Sequence, residues 1–202
     1  MTGIKLCGLS RPEDIQTANE LKVDYIGFVF APKSRRYVAP ERAAALKKLL
    51  SPQIRAVGVF VNETPETVAE LLRSGTIDLA QLHGQEDGDY IQQLRTLTDK
   101  PIIQAFRIAS AQDCKAAQES MADHILLDSG AGTGETFDWT MIGQVQRPYF
   151  LAGGLSSENA ADCVRRLQPY AVDVSSGIET NGVKDPIKMA EFVSAVRKED
   201  RK

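Results

Sequence analysis

Short apolar runs, rich in β-branched residues, alternate along the chain with longer amphipathic stretches. Eight such runs begin, at intervals of 20 to 31 residues, near Ile4, Asp24, Arg55, Asp78, Pro101, Asp123, Pro148 and Ala171. Each interval has room for one strand, one helix and two short loops. The pattern therefore predicts eight repeated βα units.

Most of these runs are apolar at both alternating positions, as in residues 26–30 (IGFVF) and 56–61 (AVGVFV). Both faces of such strands must be covered, which favours parallel strands under helices over a half-exposed antiparallel sheet. The amphipathic stretches open with capping and proline signals: Ser10 as the cap with Glu13 as its capping-box partner, residues 62–67, and the serines at 156 and 157. We expect helices to begin there.

The steady repeat favours a single (β/α)₈ barrel over an open doubly wound sheet. An open sheet more often breaks its rhythm at the chain crossover and carries a G-x-G-x-x-G turn after the first strand, and this sequence shows neither feature. At 202 residues the chain is at the lower limit for such a barrel, so residues 1–202 are expected to form one catalytic domain. The charged residues 197–202 are expected to be a frayed tail.

Composition narrows the classes of partner and compartment. The net charge of -3 offers no basic field for nucleic acid or anionic membranes, and no apolar stretch approaches the length of a membrane span. The three cysteines are scattered without a CxxC pair, and the two histidines do not form a metal-binding motif. We therefore expect a cytoplasmic protein with no signal peptide, disulfide, metal or cofactor.

In a (β/α)₈ barrel the active site lies at the carboxyl ends of the strands and in the loops that follow them. After the seventh predicted strand stand Gly153 and Gly154, and after the eighth stand Ser175, Ser176 and Gly177. Bare backbone N–H groups in these two loops suit a phosphate, although a tight turn alone would also explain the glycines.

Two reactive side chains end other predicted strands. Cys7 ends the first and shares a strand face with Lys5, while Asp128 ends the otherwise apolar sixth. An acid and a base facing each other over a substrate suit proton transfer. Core packing for Cys7, interior charge balance or catalysis for Lys5, and helix capping for Asp128 are the alternatives.

Other candidates lie in the loops. Arg36 follows two basic neighbours after strand two and could hold a carboxylate, and His83 ends strand four as either a pocket residue or a satisfied polar group. His124 starts strand six at the opposite end and is expected to be structural. The glycine-rich residues 131–135 are predicted to form a lid, anchored by residues 137–139.

In the order and spacing of its motifs, the whole chain resembles the phosphoribosylanthranilate isomerase family. The matching segments are residues 5–8 (KLCG), 27–30 (GFVF), 36–37 (RY), 57–62 (VGVFVN), 81–84 (QLHG), 126–129 (LLDS), 132–134 (GTG), 137–139 (FDW), 153–155 (GGL), 158–159 (EN) and 172–179 (VDVSSGIE). Ala131 departs from the pattern, since a glycine is common there in the family.

The resemblance implies a cofactor-free Amadori rearrangement of N-(5-phosphoribosyl)anthranilate in tryptophan biosynthesis. It implies that Asp128 is the general acid, that Cys7 is the general base and that Arg36 binds the anthranilate carboxylate. The loops carrying Gly154, Ser176 and Gly177 would bind the phosphate. A monomer is expected, with a homodimer as the alternative.

Two rival functions remain open on the sequence alone. One is a phosphosugar lyase or aldolase of the same barrel class that uses Lys5 as a Schiff-base amine. The other is a non-catalytic sensor of a phosphorylated ligand, since a fold does not by itself determine a function. A relative that also isomerises a histidine-pathway intermediate would share the barrel chemistry.

Overall fold

Eight parallel strands close into a barrel in the computed structural model, which describes residues 1–128, 142 and 145–200. The strands pair in chain order, and the eighth pairs with the first. The predicted (β/α)₈ barrel is confirmed. Its strands are β1 Gly3–Cys7, β2 Tyr25–Val29, β3 Arg55–Phe60, β4 Leu79–Leu82, β5 Ile102–Arg107, β6 His124–Asp128, β7 Tyr149–Ala152 and β8 Ala171–Val174.

Every strand begins within one residue of its predicted start, and three aspartates help to explain why. Asp24, Asp78 and Asp123 immediately precede β2, β4 and β6. Each carboxylate accepts a hydrogen bond from a backbone N–H of the strand before it, at 2.7 to 2.8 Å. These contacts join neighbouring strands at the amino-terminal end of the barrel.

Seven described helices follow the strands or close the chain. They are α1 Pro12–Leu21, α2 Pro40–Lys47, α3 Pro65–Arg73, α4 Gly88–Leu97, α5 Ala111–Gln118, α6 Ala160–Leu167 and α7 Pro186–Glu199. Four of them begin with proline, whose fixed φ suits a first helical position. None of the described helices is long and apolar enough to cross a bilayer.

Two helix starts differ from the expected ones. In α1 the N-cap is Arg11 rather than Ser10, and Asp14 rather than Glu13 accepts from the cap backbone, at 3.0 Å. In α6 the N-cap is Asn159, so the helix starts after the predicted serines. Several neighbouring polar residues can cap the same helix N-terminus, and which of them does so depends on the angle at which the chain leaves the strand.

The expected frayed tail is wrong over most of its length. Helix α7 continues to Glu199, and Arg197 donates to the Thr2 carbonyl at 3.4 Å and to Asp24 at 3.2 Å. A charged side chain with a partner on the barrel continues a helix as well as an apolar one does. The predicted lid at residues 131–135 and its anchor at 137–139 lie outside the described residues.

Two layers of apolar side chains determine where a ligand can enter. One large cluster fills the space between the sheet and the helices. A second fills the barrel interior and includes Tyr25, Val57, Leu79, Ile103, Leu126 and Phe150. Since the interior is packed below, the open space lies at the carboxyl ends of the strands.

The chain after β8 forms a hairpin that the sequence analysis did not predict. A 3₁₀ turn at Ser176–Ile178 leads into a small antiparallel hairpin of β9 Glu179–Thr180 and β10 Val183–Lys184. Lys184 pairs with Glu179 in its register. The hairpin thereby brings the buried Glu179 and the buried Lys184 together beside the barrel mouth.

Candidate active site

The carboxyl ends of the strands surround a cavity of about 510 Å³, a size that suits a small-molecule ligand. Six of the seven predicted site residues line it: Cys7, Arg36, His83, Asp128, Gly154 and Ser176. Cys7 and Asp128 thus meet at one end of the barrel, as the sequence analysis required. The seventh residue, Gly177, is not part of the lining.

Cys7 is the last residue of β1, and the residue is 8% exposed. Burial raises the pKa of this thiol, and the positive charge of Lys5 only partly opposes that effect. Gly27, its register partner on β2, makes room for the sulfur, because a Cβ there would stand 2.6 Å from Sγ. A side chain at Gly27 would therefore displace the thiol.

Lys5 occupies the barrel interior one layer below Cys7 and is fully buried. Its ammonium forms a 2.9 Å ion pair with Asp173 of β8. Burial lowers the pKa of Lys5, but the charges and hydrogen bonds of Asp173 and Cys7 outweigh it and raise the pKa overall. A buried, protonated amine is a poor Schiff-base nucleophile, which argues against the lyase alternative.

Asp128 ends β6 and lies beside an imidazole in the cavity wall. His83 Nε2 lies 3.5 Å from Asp128 Oδ2, and His83 Nδ1 lies 2.8 Å from the Gln81 side-chain amide nitrogen. With Gln81 as the donor to Nδ1, the imidazole proton is on Nε2 and faces the carboxyl group. His83 is therefore both hydrogen-bonded and part of the cavity wall.

Arg36 is held by a carboxylate of the protein itself. Its Nε and Nη2 donate to the two oxygens of Glu179 at 2.6 and 2.9 Å, and Arg35 adds a 3.1 Å contact. Lys184 donates to the same carboxylate at 2.7 Å. Burial opposes ionisation of Glu179, but hydrogen bonds and charges from Arg36 and Lys184 prevail and lower its pKa to about 2.

The two loops predicted to bind phosphate lie against each other. Gly154 has a φ of 62° and lines the cavity, and Asn159 holds this loop by donating to the Gly154 carbonyl at 2.9 Å. Gly177 serves the contact between the loops: a Cβ there would stand 2.0 Å from the Leu155 carbonyl oxygen. A glycine is required at this position by close packing.

Sequence reasoning missed several residues of the cavity region. Arg107 lines the cavity at the carboxyl end of β5, where the strand-end rule would have found it had it been applied to that strand. Asp173 and Gln81 were missed because they lie one layer inside the barrel. Lys184 lies on the unpredicted hairpin.

Among the described residues, no group of three or more His, Cys, Asp or Glu side chains is arranged to hold a metal ion. The three cysteines all lie in the described part of the chain, are buried and form no disulfide. His124 lies at the opposite end of the barrel, stacked on Tyr170, and burial lowers its pKa.

Comparison with known proteins gives one consistent result. Residues 4–195 match the family described as N-(5'phosphoribosyl)anthranilate (PRA) isomerase. A relative from Streptococcus mutans, named N-(5'-phosphoribosyl)anthranilate isomerase, is 44% identical over 201 residues, covering 98% of this chain and all of the relative. A relative of the same name from Endomicrobium trichonymphae is 43% identical over 202 residues, covering 98% and 99%.

Solved structures agree with the sequence matches. The phosphoribosyl anthranilate isomerase of Thermotoga maritima is 34% identical, with a TM-score of 0.90. The match covers 98% of this chain and all of that one. A phosphoribosyl anthranilate isomerase in complex with reduced 1-(o-carboxyphenylamino)-1-deoxyribulose 5-phosphate is 34% identical with a TM-score of 0.88, at the same coverage.

Proposed function

The chain belongs to the N-(5'-phosphoribosyl)anthranilate isomerase family. We propose that the cavity at its barrel mouth carries out the Amadori rearrangement of N-(5'-phosphoribosyl)anthranilate, with Cys7 as the general base and Asp128 as the general acid. The protein is an isomerase of tryptophan biosynthesis, which sets aside the lyase and sensor alternatives. One observation supports the assignment of roles above all: a thiol and a carboxyl group from different strands line one cavity.

The first step belongs to Asp128. Its carboxyl proton passes to the furanose ring oxygen, the bond between that oxygen and C1 breaks, and the nitrogen lone pair forms the C1=N bond of a protonated Schiff base. The position of His83 Nε2, 3.5 Å from Asp128 Oδ2, suits the carboxylate that remains after this transfer. His83 is thus assigned to the wall around the reacting sugar.

The second step belongs to Cys7. Its thiolate removes the proton from C2, and the electrons of that bond form the C1=C2 bond of an enolamine while the nitrogen becomes neutral. The enolamine then tautomerises to the ketone. The place of Cys7 at the end of β1, with only 8% of its surface exposed, favours a proton transfer shielded from water.

Two anchors orient the substrate in this proposal. Arg36 binds the anthranilate carboxylate, and the loops with Gly154, Ser176 and Gly177 bind the phosphate through backbone N–H groups. The related isomerase crystallised with a reduced deoxyribulose phosphate holds a ligand with these same two anionic ends. The reaction as proposed uses no metal or cofactor.

The sequence-based expectations about assembly and location remain proposals. We propose that residues 1–202 act as one domain in the cytoplasm, without a nucleic-acid or membrane partner. A monomer is the simplest active species. A homodimer is the alternative, because the Thermotoga maritima relative is described as dimeric.

Turnover of freshly prepared N-(5'-phosphoribosyl)anthranilate, followed by the loss of its fluorescence, tests the roles of Cys7 and Asp128. Cys7→Ala and Asp128→Asn should each reduce kcat by at least about 10²-fold, as is typical for general acid–base groups. Circular dichroism should show that both variants remain folded. Near-wild-type turnover in either variant would remove that residue from its assigned role.

A further inference from the structure

A buried ion pair lies directly below the proposed base. Lys5 Nζ and Asp173 Oδ2 are 2.9 Å apart, and the two side chains are 0% and 8% exposed. Lys5 precedes Cys7 by two residues on β1, so both side chains point into the barrel. The positive charge of Lys5 acts to lower the pKa of the Cys7 thiol, against the effect of burial. Lys5 therefore pairs with the carboxylate directly below the thiol.

Asp173 has little other work in the described structure. Its second oxygen, Oδ1, is buried and has no hydrogen-bond partner among the residues that the structure describes. It lines the same cavity as Cys7. A carboxylate that stabilised the fold through several contacts would be satisfied at both oxygens, whereas this one is directed mainly to Lys5.

Stability alone is a weak reason for such a pair. Desolvating two charges costs several kcal/mol, on the order of what their mutual attraction returns, and apolar residues of similar volume often serve the fold as well. The same interior contains Leu79 and Ile103, so an apolar layer is compatible with this barrel. A buried pair one layer below a reactive thiol is better explained by its effect on that thiol.

We propose that Lys5 and Asp173 act as a positioning pair that sets the protonation state of Cys7. Lys5 stabilises the thiolate by its positive charge, and Asp173 moderates that effect by its own negative charge. Neither residue needs to touch the substrate. This inference rests on the proposed role of Cys7 as the base.

Other charged groups also face the thiol. Lys184 from the hairpin adds positive charge near Cys7, as does Arg36 from the loop after β2. Asp128 and His83 line the far wall of the cavity. Among the groups near the sulfur, the charge of Lys5 favours the thiolate more strongly than that of Asp173 opposes it, and Lys184 contributes less than either. Lys5 is therefore the residue to change first.

The test measures the ionisation of Cys7 directly, in the absence of substrate. The rate of iodoacetamide labelling at Cys7 is followed from pH 6 to pH 10 by peptide mass spectrometry, which separates it from Cys114 and Cys163. Lys5→Met should slow labelling at pH 8 by about tenfold or more, because one pH unit in the thiol pKa changes the thiolate fraction tenfold. Asp173→Asn should accelerate it.

Opposite effects of the two variants are the signature of the proposal. A purely structural pair would lower the melting temperature in both variants and leave the labelling profiles within about twofold of wild type, and this result would overturn the inference. Effects in the same direction would overturn it as well. Lys48→Met, at an exposed lysine, is the matched control and should label like wild type.

If either single variant does not fold, the uncharged pair Lys5→Met with Asp173→Asn replaces it. This double variant should still label more slowly than wild type, because Lys5 has the larger influence on the thiol. Labelling as fast as wild type would contradict the proposal. The kinetic companion is a fall in kcat at neutral pH with KM nearly unchanged. A failed role for Cys7 in turnover would show in Cys7→Ala and leave these labelling results intact.

Discussion

Arg36 offers more than one edge of hydrogen-bond donors, and Glu179 occupies the edge formed by Nε and Nη2. The side chain is 21% exposed, and it lines the cavity beside Ser34. A guanidinium held on one edge loses less freedom when it binds a second carboxylate on another. In the proposed mechanism, Glu179 therefore orients Arg36 for the anthranilate carboxylate rather than competing with it.

Arg36→Ala should raise KM about tenfold or more and leave kcat within a few-fold of wild type, if the residue binds substrate and transition state alike. Steady-state kinetics over a range of substrate concentrations measures both constants. Arg107→Ala is the matched variant, since Arg107 lines the same cavity from β5. A larger rise in KM for Arg107→Ala than for Arg36→Ala would show that Arg107, and not Arg36, binds the substrate carboxylate.

Single residues show where sequence reasoning works and where it ends. Cys7, His83 and Asp128 could be found because a strand end is a position that the repeat reveals. Lys5 was also found, but its partner was not, because the facing of Lys5 and Asp173 depends on the β1–β8 register. A register between the first and last strands leaves no signal in a local pattern.

At the scale of elements, the hairpin of β9 and β10 is the main addition to the predicted barrel. Asn181 and Gly182 form its turn with φ values of 52° and 79°. An Asn-Gly pair between short extended segments is a strong hairpin signal, so this element could have been predicted. Its function could not, because Glu179 acquires its role only from contact with Arg36, and Lys184 only from contact with Glu179.

Glu179→Gln should reveal the hairpin's contribution to stability at low pH. The folded-state pKa of about 2 lies below the ordinary 4.5, so ionised Glu179 stabilises the fold fully above about pH 4.5. This contribution, on the order of 3 kcal/mol, is lost as the pH falls toward 2. Thermal unfolding from pH 7 to pH 2 should show the variant less stable at neutral pH, with the difference shrinking in acid.

The exposed Glu70→Gln variant provides the comparison for that series, since its side chain is on the solvent side of α3. It should follow the wild-type curve throughout. A difference between Glu179→Gln and wild type that stayed constant down to pH 2 would contradict the assigned ionisation.

The starts of helices α1 and α6 could be predicted only approximately from the sequence. Their predicted positions were close, but the predicted cap residues were wrong.

At the scale of the whole molecule, the barrel divides its work between two ends. The carboxyl ends carry the cavity, while the amino-terminal end carries the aspartates that join strand to strand. The fold was predictable because each βα unit is encoded locally and eight equal units favour closure. The tail was mispredicted because its partners, Thr2 and Asp24, are remote in sequence.

Strand β6 offers a direct test of this division, because it has an aspartate at each end. Asp123→Asn removes the charge of the side chain that accepts from the Ile102 N–H and pairs with Arg95. The variant should have a melting temperature lower by a few degrees, with kcat and KM unchanged. Asp128→Asn should lower kcat and leave the melting temperature nearly unchanged. Equal losses of activity in the two variants would show that the two ends are not separate in function.

The contact between α7 and the start of β1 has a consequence for how the chain can be threaded. The Thr2 N–H donates to the Asp200 carboxylate at 2.9 Å, so residues far apart in sequence are neighbours in space on the face away from the cavity. A circular permutant that bridges them with a short glycine-rich linker and opens between the exposed Asp99 and Lys100 keeps every strand beside its present neighbours. Such a permutant should assemble the same barrel from a different starting strand.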